Sequence, residues 1–325
     1  MKAVLCKEYG PPETLQLTEL SSPEPGKGQV VVSVKACGIN FPDALIIENK
    51  YQFKPDLPFA PGGEISGIIA KVGPGVDGWS VGDEVMAFII WGGLAEEVVV
   101  DAKRLIAKPA GMPYEEAAAS LLTYGTVLHA LEDRGGLRRG ETLLVLGAAG
   151  GVGTAAIQVG KAIGARVIAA TSSAKKNDYC RSIGADDCID YANGDLREQL
   201  KILTGGEGVD VIFDPVGGAL AETALRSTKW NGRYLVVGFA SGEIPKIPLN
   251  LVLLKGVSVV GVFWGGFLDR EPENGRAHAE ALAALYATGV ARPQLSAVYP
   301  LDQASQAISD LRDRRATGKV VVSMQ

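Results

Sequence analysis

The sequence predicts a two-domain α/β protein, a doubly wound parallel sheet joined to a β-rich domain. Three observations predict it. The apolar run at residues 143–146 leads into a glycine-rich turn, GAAGGVG at 147–153, and then an Ala-rich helical pattern at 154–163. From Thr142 onward β-type runs alternate with amphipathic helical ones, as in a parallel sheet covered on both faces. The first third instead carries short β-type runs between Pro/Gly turns, recurring roughly every eight to twelve residues, which is all-β texture.

In chain order, the β-type runs of the first part are residues 29–36, 64–72, 84–90 and 95–100, with SSPEPGKG and VGPGVDGWSVGD between them. Residues 114–131 read as helical. Strands follow at 143–146, 166–170, 187–190, 209–214, 232–237 and 258–262, with helices at 154–163, 175–183, 196–204 and 218–228. The longest apolar stretch, 249–267, is broken by Lys255 and studded with glycine, so a buried strand pair is expected there rather than a membrane span. The tail carries helical patterns at 276–288 and 302–314 and a last strand at 319–323. That strand has no evident partner in the α/β part and is expected to pair back into the β-rich domain. The expected domains are therefore 1–122, 123–265, and a return segment, 266–325, that completes the first.

The chain has 325 residues, a net charge of −5 and no block of like charge, which argues against nucleic-acid and membrane-surface partners. Its cysteines, Cys6, Cys37, Cys180 and Cys188, form no CxxC pair, and the N-terminus meets Glu8 and Gly10 too soon for a signal peptide. A reducing compartment, the cytoplasm, is the expected address.

The strand–turn–helix context makes the glycine turn a dinucleotide site. Gly150 lets the backbone approach a pyrophosphate and Gly153 lets the helix pack closely on the strand, with Ala148 where the first glycine of GxGxxG usually stands. Ala148, Gly150, Gly151, Val152 and Gly153 are the candidate contacts, the phosphates lying against N–H groups of the helix N-terminus. The ribose test falls roughly 20 residues further on. There the chain reads Ala170-Thr171-Ser172-Ser173-Ala174-Lys175-Lys176, with no acid to hold a 2′-hydroxyl. Hydroxyls and ammonium groups, those of Ser172, Ser173 and Lys176 among them, suit a 2′-phosphate, hence NADPH. A plain serine cap on a Lys-bearing helix is the alternative. Gly217, Gly238 and Phe239 follow later strands and line the cofactor crevice of such a sheet.

Five motifs, CGINFPD (37–43), LPFAPGGEISGIIAKVGPGV (57–76), TYGTVLHAL (123–131), GAAGGVG (147–153) and TGKVVV (317–322), carry an end-to-end resemblance. The chain resembles the medium-chain dehydrogenase/reductase superfamily, and within it the zinc-free quinone oxidoreductases that include zeta-crystallin. The resemblance implies a Rossmann domain beside a β-rich GroES-like catalytic domain. Zinc-dependent members place ligands where this chain has Asn40 and Gly63; Glu64 remains, but one carboxylate is not a three-ligand site. No catalytic metal is expected. The same resemblance places Asn40 and Thr123 near the nicotinamide, Tyr191 near the adenosine phosphate, and Lys319 among the cofactor contacts. Tyr51 lies where related enoyl-thioester reductases keep a proton-donating tyrosine, an aromatic lid being the alternative. Phe263 and Trp264 are candidates to wall the acceptor site, with core or dimer packing as the alternative.

Without zinc or a catalytic histidine, the chemistry that fits is direct hydride delivery to a conjugated acceptor, a quinone or enone, in which the arriving charge settles on oxygen. Asn40, Tyr51 and Thr123 are the candidate catalytic groups. A reductase of enoyl-CoA or 2-alkenals on the same scaffold is the nearest rival; a non-catalytic NADPH-binding protein of the crystallin kind is the rival from another class. A homodimer is expected through the 249–267 region.

Overall fold

Every strand between residues 123 and 292 runs parallel to its neighbours. The computed structural model, which describes residues 1–324, divides into two units, Met1–Leu122 with Pro293–Gln325 and Thr123–Arg292. In the second, the sheet order is Asp187–Asp190, Arg166–Thr171, Thr142–Leu146, Val209–Asp214, Thr228–Val236, Ser258–Gly261. All five pairings are parallel, and the order is that of a dinucleotide-binding doubly wound sheet. The first strand of the unit, Thr142–Leu146, lies in the middle and is wholly buried, as a continuous apolar run must be when helices cover both faces. Helix Gly151–Ile163 follows it and ends at Gly164, whose φ of 93° makes the left-handed stop that glycine permits.

The first unit holds a sheet in the order Leu295–Pro300, Lys319–Ser323, Gln29–Ile39, Glu64–Val72, Glu84–Phe88, Leu105–Ala107, with Glu97–Asp101 also on Gln29–Ile39. The last strand does pair back into this unit, antiparallel to Gln29–Ile39 with Val320 opposite Ile39. Lys319 is thereby brought beside the end of Gln29–Ile39 and the turn that opens helix Phe41–Ile47.

Three expectations are corrected. Residues 114–131 are not one helix: Tyr114–Ala117 and Leu121–Leu128 are separate, and a wider π turn covers His129–Arg134. At the break the Ser120 hydroxyl donates to the Glu116 carbonyl (2.6 Å) while the amides of Ala119 and Ser120 tighten to carbonyls three residues back. The stretch 249–267 is not a buried strand pair. Leu249–Lys255 is a helix between Pro248 and the left-handed Gly256, Ser258–Gly261 is an edge strand, and Trp264–Arg270 is again helical. An unbroken apolar run carries no period by which to tell helix from strand. The return segment begins at Pro293 rather than 266, because helix Pro272–Ala287 packs on Trp264–Arg270 within the second unit. Among the described residues no helix is long and apolar enough to cross a membrane.

Candidate functional site

The candidate nucleotide site of the second unit is the turn after Thr142–Leu146. Gly147 has φ 60° and would bring a Cβ to 2.7 Å from Val216 Cγ2. A Cβ on Gly153 would stand 2.5 Å from the Gly147 carbonyl oxygen and 2.7 Å from Ala148 Cα, so the approach of helix to strand demands glycine there. Gly150 differs. Its φ of −83° suits any residue, and a Cβ would meet only the Gly147 oxygen, at 3.4 Å. It is the N-cap of helix Gly151–Ile163 without a capping side chain. Gly150, Gly151 and Val152 are only partly buried and Ala148 is fully buried. A half-open turn at an uncapped helix N-terminus fits a dinucleotide pyrophosphate.

Around this turn, Tyr179 and Thr154 share a hydroxyl–hydroxyl bond (2.9 Å) that ties two helices together. At the end of Arg166–Thr171, the Thr171 hydroxyl donates to Asn177 Oδ1 (2.8 Å), and both residues are buried. Ser173 caps helix Ala174–Ser182, its Oγ accepting from the Lys176 amide (3.3 Å), so the capping role is real; Ser172 and Ser173 are also partly accessible. No carboxylate stands in the 170–176 stretch. Tyr191 is half-buried, its amide donating to the Thr171 carbonyl (3.0 Å).

Sequence reasoning missed Asp214. Its Oδ1 accepts from the amides of Val216 and Gly217 (2.7 and 2.9 Å), and Tyr234, fully buried, donates to its Oδ2. Burial and the Asp214 charge hold the Tyr234 phenol far above its usual pKa, so it remains the donor. This bonding sets the turn to Gly217 (φ 66°), where a Cβ would meet the Phe239 ring at 2.8 Å. The signal was an acid followed by PVGG at a strand end. Gly238 and the partly exposed Phe239 follow the next strand, and Phe263 is half exposed. Trp264 is buried against Gly125, where a Cβ would stand 2.5 Å from the indole, so it is core within its unit rather than an open wall. Thr123 is buried, and Tyr124 beside it spends its hydroxyl on Gln158 (2.6 Å). His129 bonds Asp133 (2.7 Å) and stacks on Phe267, the local satisfaction expected of a helix histidine.

A separate polar cluster lies within the first unit. Asn40 ends the strand Gln29–Ile39 and opens helix Phe41–Ile47; Asp43 caps that helix by accepting from the Asn40 amide (2.7 Å), and it also accepts from Gly62 (3.1 Å). Asp43 is wholly buried, and burial pushes its pKa up to about 7 against the pull of those amides and of Lys319. The Asn40 carboxamide donates to Glu64 Oε2 (2.9 Å) and to the Gly38 carbonyl (3.2 Å), and its Oδ1 accepts from Lys319 Nζ (2.6 Å). Lys319 reaches Glu64 (3.1 Å) and the Ile39 carbonyl (3.2 Å) as well, so its ammonium has three partners within this unit. Tyr51 packs half-buried on this core near the Phe53 ring (5.8 Å). Burial first, then the nearby Asp43, raise its phenol above the usual range, so it stays neutral at pH 7. Cys37 is buried with its thiol held well above its usual pKa by burial, an inert packing residue.

Residues 26–110 match the alcohol dehydrogenase GroES-like domain family and 151–281 the zinc-binding dehydrogenase family. A quinone oxidoreductase-like protein 2 homolog of Nematostella vectensis is 39% identical over 325 residues, 99% of this chain and 88% of that one. The chain belongs to the quinone oxidoreductase family of the medium-chain dehydrogenase/reductase superfamily. Among solved structures, Escherichia coli quinone oxidoreductase complexed with NADPH superposes with TM-score 0.92 at 31% identity, over 99% of this chain and all of that one. A mycobacterial structure complexed with NADPH gives TM-score 0.93 at 31% identity over 99% of this chain and all of that one. Family membership makes the chain an oxidoreductase.

Proposed function

We propose that this chain is an NADPH-dependent, zinc-independent reductase of quinones or related conjugated carbonyls. The observation that carries the reading is Gly150. Nothing in the fold requires glycine there, yet the turn at the uncapped helix N-terminus is left without a side chain, as a close-lying pyrophosphate demands. The two NADPH-bound relatives support the cofactor, and the acid-free stretch from Thr171 to Lys176 supports its phosphorylated form. Lys319 supports the zinc-free reading: its ammonium lies against Glu64, the carboxylate that follows Gly63 and accepts from the Asn40 side chain.

Bound NADPH supplies the hydride. This chain's part is to hold the dinucleotide at the glycine turn, to bind the 2′-phosphate through Ser172, Ser173 and Lys176, and to meet the charge that develops on the acceptor oxygen. Tyr51, a neutral phenol, serves as hydrogen-bond and proton donor to that oxygen. Thr123 and Asn40 are the remaining polar groups of the proposal. Cytoplasmic residence suits four free cysteines, of which three are buried. A homodimer is supported by the edge strand Ser258–Gly261 and, separately, by Leu249, Leu253 and Leu254, each more than two-thirds exposed at 78%, 77% and 69%.

The test is turnover with NADPH and NADH on a 1,4-benzoquinone, a 2-alkenal and a crotonyl thioester. Quinone reduction with NADPH preferred is expected. Fast reduction of the thioester alone assigns the enoyl reductase role instead, and tight NADPH binding with no oxidation by any acceptor assigns the non-catalytic one.

A further inference from the structure

The side chains of Asn40 and Lys319 have used every N–H they own. An ammonium has three, and Lys319 spends them on Asn40 Oδ1, Glu64 Oε2 and the Ile39 carbonyl. A carboxamide has two, and Asn40 spends them on Glu64 Oε2 and the Gly38 carbonyl. The partners also fix which way the amide points. Turned over, its NH2 would face the Lys319 ammonium and its oxygen the Glu64 carboxylate, two repulsions in place of two attractions. Glu64 is itself held, its Oε1 accepting from the Leu122 amide (2.9 Å).

We infer that Lys319 and Glu64 are positioning residues, which lock Asn40 into one orientation and leave it able to act on a ligand only as a hydrogen-bond acceptor. What remains on the carboxamide is a lone pair of Oδ1. Asn40 therefore takes a hydroxyl or amide N–H, the donors that a ribose or a carboxamide-bearing ring offers, and does not donate to a developing oxyanion. That task falls to Tyr51. Paired charges inside the protein hold the polar group here, and strand Lys319–Ser323 supplies one of them from the far end of the chain. Removing one partner leaves the other buried and uncompensated, whereas neutralising both does not.

The inference rests on the proposed function for its kinetic part only. In the intact, isotope-labelled protein, the Asn40 side-chain amide pair is identified by its loss in Asn40→Asp. It should exchange with solvent at least about tenfold more slowly than an exposed asparagine, because both N–H groups are bonded and buried. An exchange rate in wild type equal to that of exposed asparagines overturns the inference, whatever the enzyme reduces. The double variant Lys319→Met with Glu64→Gln should fold, bind NADPH within about threefold of wild type and lose about tenfold or more in kcat. A folded double variant with unchanged kcat and unchanged Asn40 exchange overturns it too. Failure of wild type to oxidise NADPH with any acceptor counts against the proposed function and leaves the exchange result standing.

Discussion

The carbonyl oxygen of Gly147 lies 2.5 Å from where a Cβ on Gly153 would stand, whereas a Cβ on Gly150 would meet that same oxygen at 3.4 Å. One glycine serves the fold; the other is the one proposed to make room for a ligand. Gly153→Ala should therefore destabilise the protein by roughly 1–3 kcal/mol, the usual range for overpacking a tight contact. Gly150→Ala should leave the melting temperature of the ligand-free protein nearly unchanged and weaken NADPH binding about tenfold or more. Thermal unfolding with and without NADPH separates the two effects.

The 2′-phosphate assignment predicts a selective loss. Lys176→Ala should weaken NADPH binding by about 1.5–3 kcal/mol, the worth of a hydrogen bond to a charged group, and leave NADH binding nearly as it was. Ser173→Ala should do the same and also lower stability by about 1 kcal/mol, since the Ser173 Oγ accepts from the Lys176 amide. Titration with each nucleotide checks both, and an equal loss for the two nucleotides removes the assignment.

The architecture was legible wherever burial leaves a pattern. Strands at 187–190 and 209–214 stand at their expected bounds; for Val209–Asp214, inside the sheet, the reason is that a parallel strand covered on both faces reads as an apolar run ended by turns. Leu249–Lys255 was not legible, since its leucines cluster without a period and three of them face outward. At the site, the need for glycine at 153 could be argued from spacing alone. The pairing of Lys319 with Asn40 could not. The two are 279 positions apart, and only the register of Lys319–Ser323 against Gln29–Ile39 brings them together. A lysine in a TGKVVV strand carries no mark of being buried.

Tyr51 as proton donor predicts a split between acceptors. Tyr51→Phe should lower kcat on an enone by about 10²–10⁴-fold, the range of general acid catalysis, and affect a quinone less, since the product oxygens can be protonated by water. The raised phenol pKa keeps this donor neutral, so wild-type enone turnover should show no loss from Tyr51 ionisation between pH 6 and pH 9. Equal rates for Tyr51→Phe and wild type on an enone would reduce the residue to an aromatic cover.

Self-association predicts that charge on the leucine face is disruptive. Leu249→Glu with Leu253→Glu should convert a dimer to a monomer in light scattering at micromolar concentration, with the far-ultraviolet dichroism unchanged because both side chains are exposed in the single chain. A wild-type monomer at the same concentration removes the dimer from the proposal.

Asp43 imposes a pH dependence of a definite sign. Its carboxyl titrates in the fold near pH 7, against 3.8 as the ordinary value, because burial outweighs the amides of Asn40 and Gly62 and the charge of Lys319. Between those values the folded state binds more protons than the unfolded one, so stability falls as pH rises. Asp43 thus contributes stability that is fully present below about pH 4 and lost by the time pH has passed about 7, on the order of 4 kcal/mol across that window. Asp43→Asn cannot ionise, so the difference in unfolding free energy between it and wild type should change across the window in that direction and stay flat above it. Urea unfolding of both proteins from pH 4 to pH 8.5 measures this. A difference independent of pH would mean that the carboxylate is already charged at pH 4, with the two backbone amides and the ammonium sufficient to keep it so.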